Sequence, residues 1–332
     1  MNVGVLGAGF MGGTHARAYA KLPGVKVVAV SSRAEGKAAK LAAEVGAQAV
    51  TDDMAIINDP SIDAISITLP TYLHKQYTVA ALQAGKHVLV EKPFGLTVAE
   101  CDEMMAAQAQ SGKFLMVAQV LRFWPQYVAI AKLLESGKLG APLSAIATRL
   151  TQAPAWSSWF TEPDLSGGPV LDLQIHDIDA LNWILGQPKT VYARGYESKP
   201  GSWDHILTII DYGSAQGSIE NSEILPTGYP FTMSLKIYCQ GGVVEFNFKA
   251  GGVSVEMGGG VDSLIVYEPG NSYVLDAPGG DAWETQVAYF VDCVRNNRAP
   301  ALGTPAQARL AVAIANAARQ SMESGQVVQV IT

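Results

Sequence analysis

The chain has 332 residues, longer than a typical single domain, which predicts two domains with a large buried core. Hydrophobic residues make up 48% and charged residues 16%, which excludes disorder, and no apolar run approaches the roughly twenty residues that cross a bilayer. The 23 basic and 30 acidic residues give a net charge of −7 without a basic cluster, which disfavours nucleic acid and anionic membranes as partners and favours a small polar ligand.

The cysteines and the first residues bear on the cellular compartment. Cys101, Cys239 and Cys293 are odd in number, far apart and without metal-ligand spacing, so we interpret them as buried free thiols and expect no metal site. The segment MNVGVLGAGF has no basic leader and no small-residue cleavage site, and its glycines belong to a fold. We therefore expect a cytoplasmic protein.

Short apolar runs alternate with alanine-rich amphipathic segments in the first third of the chain. The predicted strands are NVGVLG, VKVVAV, AISITL, KHVLVE and KFLMVAQ, in that order. This βαβα alternation is typical of a parallel sheet with helices on both faces. The sequence therefore predicts an α/β fold that begins with a doubly wound parallel sheet.

The sequence GAGFMG, residues 7–12, follows the first predicted strand directly and opens a helical segment. In this context the glycines indicate a dinucleotide site: Gly7 permits the tight turn, Gly9 lets a pyrophosphate approach the backbone, and Gly12 permits close helix packing. The helix N-terminus favours the phosphate charge. The alternative is a glycine turn that binds no ligand.

The end of the second predicted strand is where an acidic residue would bind the adenosine ribose of NAD. Here the chain has Ser31, Ser32 and Arg33 instead. No carboxylate repels a 2′-phosphate, two hydroxyls can donate to it, and the guanidinium can bind it or stack on the adenine. NADP is therefore the favoured cofactor. The alternative is that Arg33 merely starts a solvated helix and that NAD binds without an acid.

The segment HVLVEKPFG ends a later strand with Glu91, Lys92 and Pro93. Ligands of open α/β sheets bind beyond the carboxyl ends of the strands, which is where Lys92 is expected. The following proline disfavours the α conformation at Lys92 and keeps it extended. By itself a strand-end lysine is an ordinary surface charge, so this segment gains meaning only together with the other motifs.

The pattern changes after about Gln119. A helix is predicted over Gln126–Glu135, followed by an apolar run over Ser144–Leu150, and two helices close the chain over Ala282–Asn296 and Pro305–Ser324. Runs rich in Thr, Val, Ile and Tyr lie between them, at Val191, Ile206, Ala215, Thr232, Val243 and Leu264. Their spacing, with Gly and Asn between them, is typical of a largely antiparallel sheet.

The segment SGGPVLDLQIHDIDALNWILG, residues 166–186, carries acid–base side chains. A helix is predicted to begin at Pro169, because proline has a helical φ and lacks an N–H that would be unpaired there. At about 100° per residue, Asp172, His176 and Asp179 fall in one sector, opposite the apolar residues. The alternative is an amphipathic helix whose polar stripe faces water. The stripe has no Lys–Glu pairs and contains a titratable histidine, which favours a site.

Three motifs in order, GAGFMG, EKP and GGPVLDLQIHDID, resemble those of the glucose–fructose oxidoreductase, inositol dehydrogenase and MocA (Gfo/Idh/MocA) family over nearly the whole chain. ITLPTYLH, residues 67–74, and LRF, residues 121–123, resemble it as well, although Leu69 separates a Thr and a Pro that commonly form a pair. The resemblance implies a Rossmann domain over 1–120 that binds NAD or NADP. It also implies an α/β domain with a large, mainly antiparallel open sheet over 121–332, which binds substrate and forms a homodimer or homotetramer.

The resemblance also assigns residues to the cofactor and to the reaction. Lys92, Asp172 and His176 match the reactive set of the family. The predicted cofactor-binding residues are Gly7, Gly9, Phe10, Met11, Gly12, Ser31, Ser32, Arg33, Thr68, Leu69, Pro70, His74, Glu91, Lys92 and Gln119.

The reactive set suits the oxidation of a secondary alcohol, in which a hydride leaves carbon while a base takes the hydroxyl proton. His176 is predicted as that base because an imidazole titrates near neutral pH. Asp172 would orient the imidazole or bind a neighbouring hydroxyl, and Lys92 would bind the reacting oxygen and stabilise negative charge on it. Asp179 is a candidate partner for another hydroxyl.

Side chains outside this set are candidates for substrate contacts. Trp156 and Trp159 can pack on a sugar ring and Arg122 can add a polar contact; the alternative is that the tryptophans lie in the core or in an interface. Several Asp, His and Lys groups without a metal site indicate a polyol or a monosaccharide. The sequence therefore predicts a sugar or polyol oxidoreductase. The alternatives are an NAD-assisted glycosidase of the same family and a non-catalytic protein that senses a dinucleotide or a sugar.

Overall fold

The computed structural model describes residues 1–34, 36–153, 158–199, 201–253 and 260–331. Internal contacts divide the chain into two units. The first contains Met1–Phe123 and Gly280–Arg309, and the second contains Trp124–Gly279 and Leu310–Thr332.

The first unit is built on a six-stranded sheet in the order β3-β2-β1-β4-β5-β6, in which every neighbouring pair is parallel. Its strands are β1 (Asn2–Leu6), β2 (Lys26–Ser31), β3 (Gln48–Val50), β4 (Ala64–Ile67), β5 (His87–Glu91) and β6 (Leu115–Ala118). The helices between them are α1 (Phe10–Ala20), α2 (Lys37–Val45), α3 (Asp53–Ile57), α4 (His74–Gln83) and α5 (Val98–Ser111). All residues of β4 and β6 are buried, as expected for a sheet covered on both faces. The strand order reverses between β1 and β4, which is the switch point where such sheets bind ligands.

The second unit carries a nine-stranded sheet in the order β14-β13-β12-β11-β7-β10-β9-β8-β15. Its strands are β7 (Pro142–Leu150), β8 (Thr190–Lys199), β9 (Ser202–Asp211), β10 (Gln216–Ser222), β11 (Thr232–Cys239), β12 (Gly242–Lys249), β13 (Val261–Glu268), β14 (Asn271–Val274) and β15 (Val328–Gln329). Its helices include α6 (Pro125–Glu135), α7 (Pro163–Ser166), α8 (Gly168–Asp172) and α9 (Ile175–Leu185). The β7–β10 pair is parallel, and the other described pairs are antiparallel. In β11 buried residues alternate with accessible ones, so one face of the sheet is covered.

Two helices close the chain, α10 (Ala282–Arg295) and α11 (Pro305–Ser324). In α10, Glu284 pairs with Lys21, the residue that follows α1, and the Tyr289 ring lies 5.4 Å from the Phe123 ring. These contacts explain why residues 280–309 belong to the first unit, whereas a division of the sequence at residue 120 places them in the second part.

The prediction of one continuous helix that begins at Pro169 is wrong, because α8 ends at Asp172 and α9 begins at Ile175. Between the two helices, the amides of Leu173 and Gln174 both donate to the Pro169 carbonyl at 2.9 Å. The Gln174 side chain is fully buried and accepts a hydrogen bond of 3.1 Å from the Thr208 hydroxyl of β9. This hydrogen bond ties the junction between the two helices to β9. Asp172 and His176 therefore do not lie on consecutive turns of one regular helix.

The structure also bears on membranes, metals and thiols. No helix within the described ranges is long and apolar enough to cross a bilayer. In the same ranges, no group of three or more His, Cys, Asp or Glu side chains is arranged to hold a metal ion. The three cysteines are free and buried, as predicted. Burial raises the pKa of the Cys101 thiol, which keeps it protonated.

Candidate active site

The glycine loop joins β1 to α1 beside the switch point of the parallel sheet. Gly7 has a φ of +101°, and a Cβ there would lie 2.7 Å from the Thr68 carbonyl oxygen. A Cβ on Gly12 would collide with the Gly7 carbonyl oxygen. Both positions therefore require glycine for the backbone itself.

The start of α1 is open. Gly9 is the N-cap residue, and no side chain caps the first amides of this 11-residue helix. A Cβ on Gly9 would meet no atom within 4 Å, and the Phe10 side chain is 57% exposed. Uncapped amides beside open space fit an anionic group such as a phosphate. The predicted residues 7–12 thus form a cradle that fits a dinucleotide.

Three cofactor-binding residues are predicted at the end of β2, and two of them, Ser32 and Arg33, are accessible to solvent. Ser31 is fully buried, and its hydroxyl donates a hydrogen bond to the buried Asp53 carboxylate. Ser32 is half-buried, and Arg33 is exposed, with its guanidinium donating to the Tyr77 hydroxyl at 3.0 Å. The Tyr77 hydroxyl raises the pKa of Arg33. Sequence reasoning missed Asp53, because no spacing rule connects it with Ser31.

The loop after β4 contains residues 68–70, with His74 at the start of α4. The Thr68 hydroxyl donates to the last carbonyl of β1 at 2.8 Å, which ties the ends of β1 and β4 together. His74 is 1% exposed, and its ring nitrogens lie 2.8 Å from the carbonyl oxygens of Leu69 and Pro93. Burial lowers the pKa of His74, and the two carbonyl contacts oppose this effect. His74 therefore joins the loop after β4 to the loop after β5.

The carboxyl end of β5 carries Glu91, which is 6% exposed, and Lys92, which is half-buried. One Glu91 oxygen accepts the Lys92 backbone N–H at 3.1 Å. The other lies 3.1 Å from Nε2 of His15 in α1, and Nδ1 of His15 lies 2.6 Å from the Ser66 hydroxyl oxygen. Sequence reasoning missed His15, since a histidine inside a helix has no distinctive pattern.

Two predicted residues follow β6. Gln119 is 1% exposed, and within the described residues its amide nitrogen has no hydrogen-bond partner. A buried donor of this kind is expected where a ligand group completes the hydrogen bond. Arg122 is 2% exposed in the short 3₁₀ helix Val120–Phe123. The Gln119 amide, like the open start of α1, fits a bound cofactor.

The acid–base residues of the second unit lie on α8 and α9. Asp172 ends α8 and His176 is in the first turn of α9, and both are half-buried. Asp179 is 1% exposed, so it does not face water as an ordinary surface stripe would. Lys92 belongs to the first unit, and these three residues belong to the second.

A buried ion pair next to His176 was missed by sequence reasoning. Arg149 of β7 donates two hydrogen bonds of 2.9 Å to the Asp177 carboxylate, and Asn221 adds one of 3.1 Å. Asp177 is fully buried. Alternating burial in β7 points Arg149 into the core, and a charged residue at a core position is the signal that could have indicated a partner.

The predicted aromatic contacts lie in the segment before α7. Trp159 is in a short 3₁₀ helix, Ser158–Thr161, and its ring stacks on that of Phe160 with centroids 3.9 Å apart. Trp156 lies outside the described residues.

The chain is similar to known oxidoreductases over most of its length. Residues 1–119 match the family model described as oxidoreductase family, NAD-binding Rossmann fold, and residues 127–245 match the GFO/IDH/MocA C-terminal domain. The scyllo-inositol 2-dehydrogenase (NAD(+)) of Bacillus subtilis is 27% identical, with 98% of this chain and 95% of that protein covered. The myo-inositol 2-dehydrogenase of Thermotoga maritima is 29% identical, with 69% of this chain and 70% of that protein covered. Levoglucosan dehydrogenase in complex with NADH superposes with a TM-score of 0.85 and 25% identity, covering 100% and 99% of the two chains.

These matches confirm the predicted fold class, a Rossmann sheet followed by a large, mainly antiparallel sheet, and they confirm the family resemblance. The two family models together span most of the chain. The chain belongs to the GFO/IDH/MocA family of oxidoreductases, and its first part is the NAD-binding Rossmann fold of that family.

Proposed function

We propose that the protein transfers a hydride between a nicotinamide cofactor and a CH–OH group of a sugar or polyol. The observation that carries the proposal is the uncapped start of α1 beside Gly9. This helix follows β1, a strand of the same parallel sheet as β5, which leads into Lys92. The similar proteins named above act on inositols and on levoglucosan, which are polyhydroxylated rings. This shared chemistry supports a sugar or polyol as the substrate class.

Different predicted residues would bind different parts of the cofactor. The first amides of α1, with Gly7, Gly9 and Gly12, would hold the pyrophosphate, and Phe10 and Met11 would flank it. Ser32 and Arg33 would bind the adenosine ribose. Residues 68–70, His74, Glu91 and Gln119 would supply further contacts to the cofactor. The bound nicotinamide supplies the hydride acceptor or donor.

The reaction needs one proton transfer besides the hydride. In oxidation His176 takes the substrate hydroxyl proton on a ring nitrogen, and in reduction it returns that proton to the carbonyl oxygen. Lys92 donates a hydrogen bond to the reacting oxygen and stabilises negative charge there. Asp172 accepts a hydrogen bond from the imidazole or from a neighbouring substrate hydroxyl.

Four further residues are proposed to contact the substrate. Asp179 and Arg122 would bind hydroxyls, and Trp156 would offer a ring face to the sugar. Trp159 has one ring face covered by Phe160, so only its other face can pack on a sugar.

The cofactor choice rests on the end of β2. We propose that NADP(H) is preferred and that NAD(H) is accepted, because Arg33 is exposed and Ser32 is accessible where a ribose-binding acid is missing. The carboxylate of Asp53, which accepts the hydrogen bond from Ser31, is a negative charge that would oppose binding of the 2′-phosphate. The similar proteins with NAD(+) or NADH in their names support acceptance of NAD(H).

The outer face of the second unit's sheet supports a homodimer or homotetramer. On β7, β9, β11 and β13 it exposes large apolar side chains, namely Ile146, Leu207, Ile209, Tyr238 and Tyr267. An apolar face of this kind is typical of an interface. Light scattering of the purified protein tests this proposal, and a monomeric mass would contradict it.

A cytoplasmic location is proposed because the three cysteines are free thiols, which is typical of proteins in a reducing compartment.

The test follows the absorbance of reduced nicotinamide with NADP(H) and NAD(H) against a panel of inositols, aldoses, keto sugars and aryl glycosides. A change in absorbance with a sugar or polyol supports the proposal, ranks the cofactors and narrows the substrate. Release of an aryl alcohol without net nicotinamide change would instead support the glycosidase. Cofactor binding without any turnover across the panel would support the sensor.

A further inference from the structure

Two buried histidines contact the two residues that flank Lys92 in the chain. His15 of α1 faces Glu91, the residue before Lys92, and His74 of α4 faces Pro93, the residue after it. Both histidines are at most 1% exposed. One imidazole therefore reaches the Lys92 backbone through the Glu91 carboxylate, and the other contacts the Pro93 carbonyl oxygen directly.

On the first side, His15 and Glu91 form a close polar pair. The His15 Nε2 atom lies 3.1 Å from the Glu91 carboxylate, although the contact is not aligned as a hydrogen bond, and the nitrogen has no other polar partner within the described residues. Ser66, at 2.6 Å from Nδ1, fixes the other edge of the ring. The second oxygen of Glu91 accepts the Lys92 backbone N–H. The carboxylate thus connects α1 to the Lys92 backbone.

On the second side, His74 spans two loops. One ring nitrogen faces the Pro93 carbonyl oxygen and the other faces the Leu69 carbonyl oxygen, both at 2.8 Å. Whichever nitrogen carries the proton donates to one of these carbonyls. The loop after β5 is thereby tied to the loop after β4.

We propose that His15 and His74 are positioning residues that hold the Lys92 backbone so that its ammonium meets the reacting oxygen. This inference rests on the proposed function in taking Lys92 as the group that binds that oxygen. A lysine side chain has many rotamers, and a displaced backbone moves all of them, so a fixed backbone limits the volume that the ammonium samples. Small displacements of a catalytic group reduce rates steeply, by about 100-fold for 1 Å.

His15→Leu removes the contact with Glu91, and His15→Gln keeps a side-chain N–H that can face the carboxylate. His74→Leu and His74→Gln form the corresponding pair on the other side. The matched control is His87→Gln, because His87 lies at the opposite, amino end of the same strand β5 and is half-buried. If a leucine variant fails to fold, Glu91→Gln tests the same connection with a nearly unchanged side-chain shape.

The first readout needs neither cofactor nor substrate: amine labelling of Lys92 in the cofactor-free protein, followed by mass spectrometry. We expect the leucine variants to label Lys92 about threefold faster or more, because the backbone of Lys92 is released. The glutamine variants should fall near the wild type, and His87→Gln should match it. Equal labelling rates in all folded variants overturn the proposal.

The second readout separates turnover from cofactor binding. We expect His15→Leu and His74→Leu to lower kcat about 10- to 100-fold, with partial rescue by glutamine. For His15→Leu, a residue outside the proposed cofactor contacts, we expect the Kd for NADPH to stay within about twofold of the wild type. A loss of kcat in His87→Gln as large as in His15→Leu overturns the proposal, since it would reflect general stability. If the wild type turns over no substrate, the proposed function fails, and the labelling result still decides whether the histidines restrain Lys92.

Discussion

Arg149 and Asp177 form a bidentate ion pair inside the second unit, with both nitrogen–oxygen distances at 2.9 Å. The Arg149 side chain is 5% exposed and the Asp177 side chain is fully buried. Because Asp177 is adjacent to His176, the pair fastens the start of α9 to β7 and fixes the point from which the His176 side chain extends. A buried pair of this kind is costly to break, since the remaining partner keeps an uncompensated charge.

Asp177→Asn should destabilise the protein by about 3 to 5 kcal/mol, because it leaves the Arg149 guanidinium buried without its carboxylate. Urea unfolding of the variant and the wild type measures this difference. The control is Glu44→Gln, which breaks the exposed pair of Arg17 and Glu44 and should cost about 0 to 1 kcal/mol. Similar losses in the two variants would contradict the role assigned to Asp177.

Lys92→Ala and His176→Ala should each lower kcat by roughly 10² to 10⁴, the usual effect of lost acid–base assistance, while the Kd for NADPH stays nearly unchanged. Steady-state kinetics with the substrate found in the panel, together with fluorescence titration of NADPH, measures both quantities. Lys40→Ala, at an exposed position of α2, serves as the control. Turnover within a few fold of the wild type in either variant would refute the catalytic assignment.

The sequence predicted the order and type of the elements well where hydrophobic periodicity decides them. The closing helix over Pro305–Ser324 has the predicted bounds, and α6 begins one residue before the predicted helix. The interruption between α8 and α9 could not be predicted, because it depends on a tertiary hydrogen bond between Gln174 and Thr208. The place of α10 in the first unit likewise depends on packing between distant segments, such as Tyr289 on Phe123.

The site residues predicted from the sequence belong to local motifs, such as the glycine loop and the segment that contains Lys92. Sequence reasoning missed residues that act through partners far away in the chain. Asp53 reaches Ser31 across 22 positions, and His15 of α1 reaches Glu91 at the end of β5. Burial of a charged group and the identity of its partner follow from the fold, so no periodicity or spacing within one segment could reveal them.

Arg33→Ala should weaken NADPH binding by about 1.5 to 3 kcal/mol, the cost of a lost charge-assisted hydrogen bond, and leave NADH binding almost unchanged. Titration of both reduced cofactors by fluorescence measures the two changes. Lys26→Ala is the matched control, because Lys26 is an exposed cation at the opposite end of β2. Equal losses for NADPH and NADH would rule out a contact between Arg33 and the 2′-phosphate.

His74 should make the folded protein less stable as the pH falls below about 6.5. Burial lowers its pKa below the ordinary 6.5, so in this range the unfolded chain takes up a proton that the folded protein does not. The free energy of unfolding then falls with decreasing pH, by up to about 1.4 kcal/mol per pH unit, until the folded pKa is reached. Urea unfolding of the wild type and His74→Gln at several pH values between 5 and 8 measures the slope. An unchanged slope in the variant would show that His74 takes up protons equally in the folded protein and in the unfolded chain, which would contradict the prediction.

Gly9→Val should impair cofactor binding without affecting the fold. Gly9 has a φ of −78° and a ψ of −165°, which any residue adopts, and a Cβ there meets no atom of the protein within 4 Å. The added side chain instead fills the space in which a phosphate would approach the α1 amides. We expect Tm to be nearly unchanged and the Kd for NADPH to rise at least about 10-fold, which is about 1.4 kcal/mol. Gly280→Val, at an exposed position that also has no atom near its Cβ, should change neither quantity. Unchanged NADPH affinity in Gly9→Val would mean that the dinucleotide does not pass over this loop.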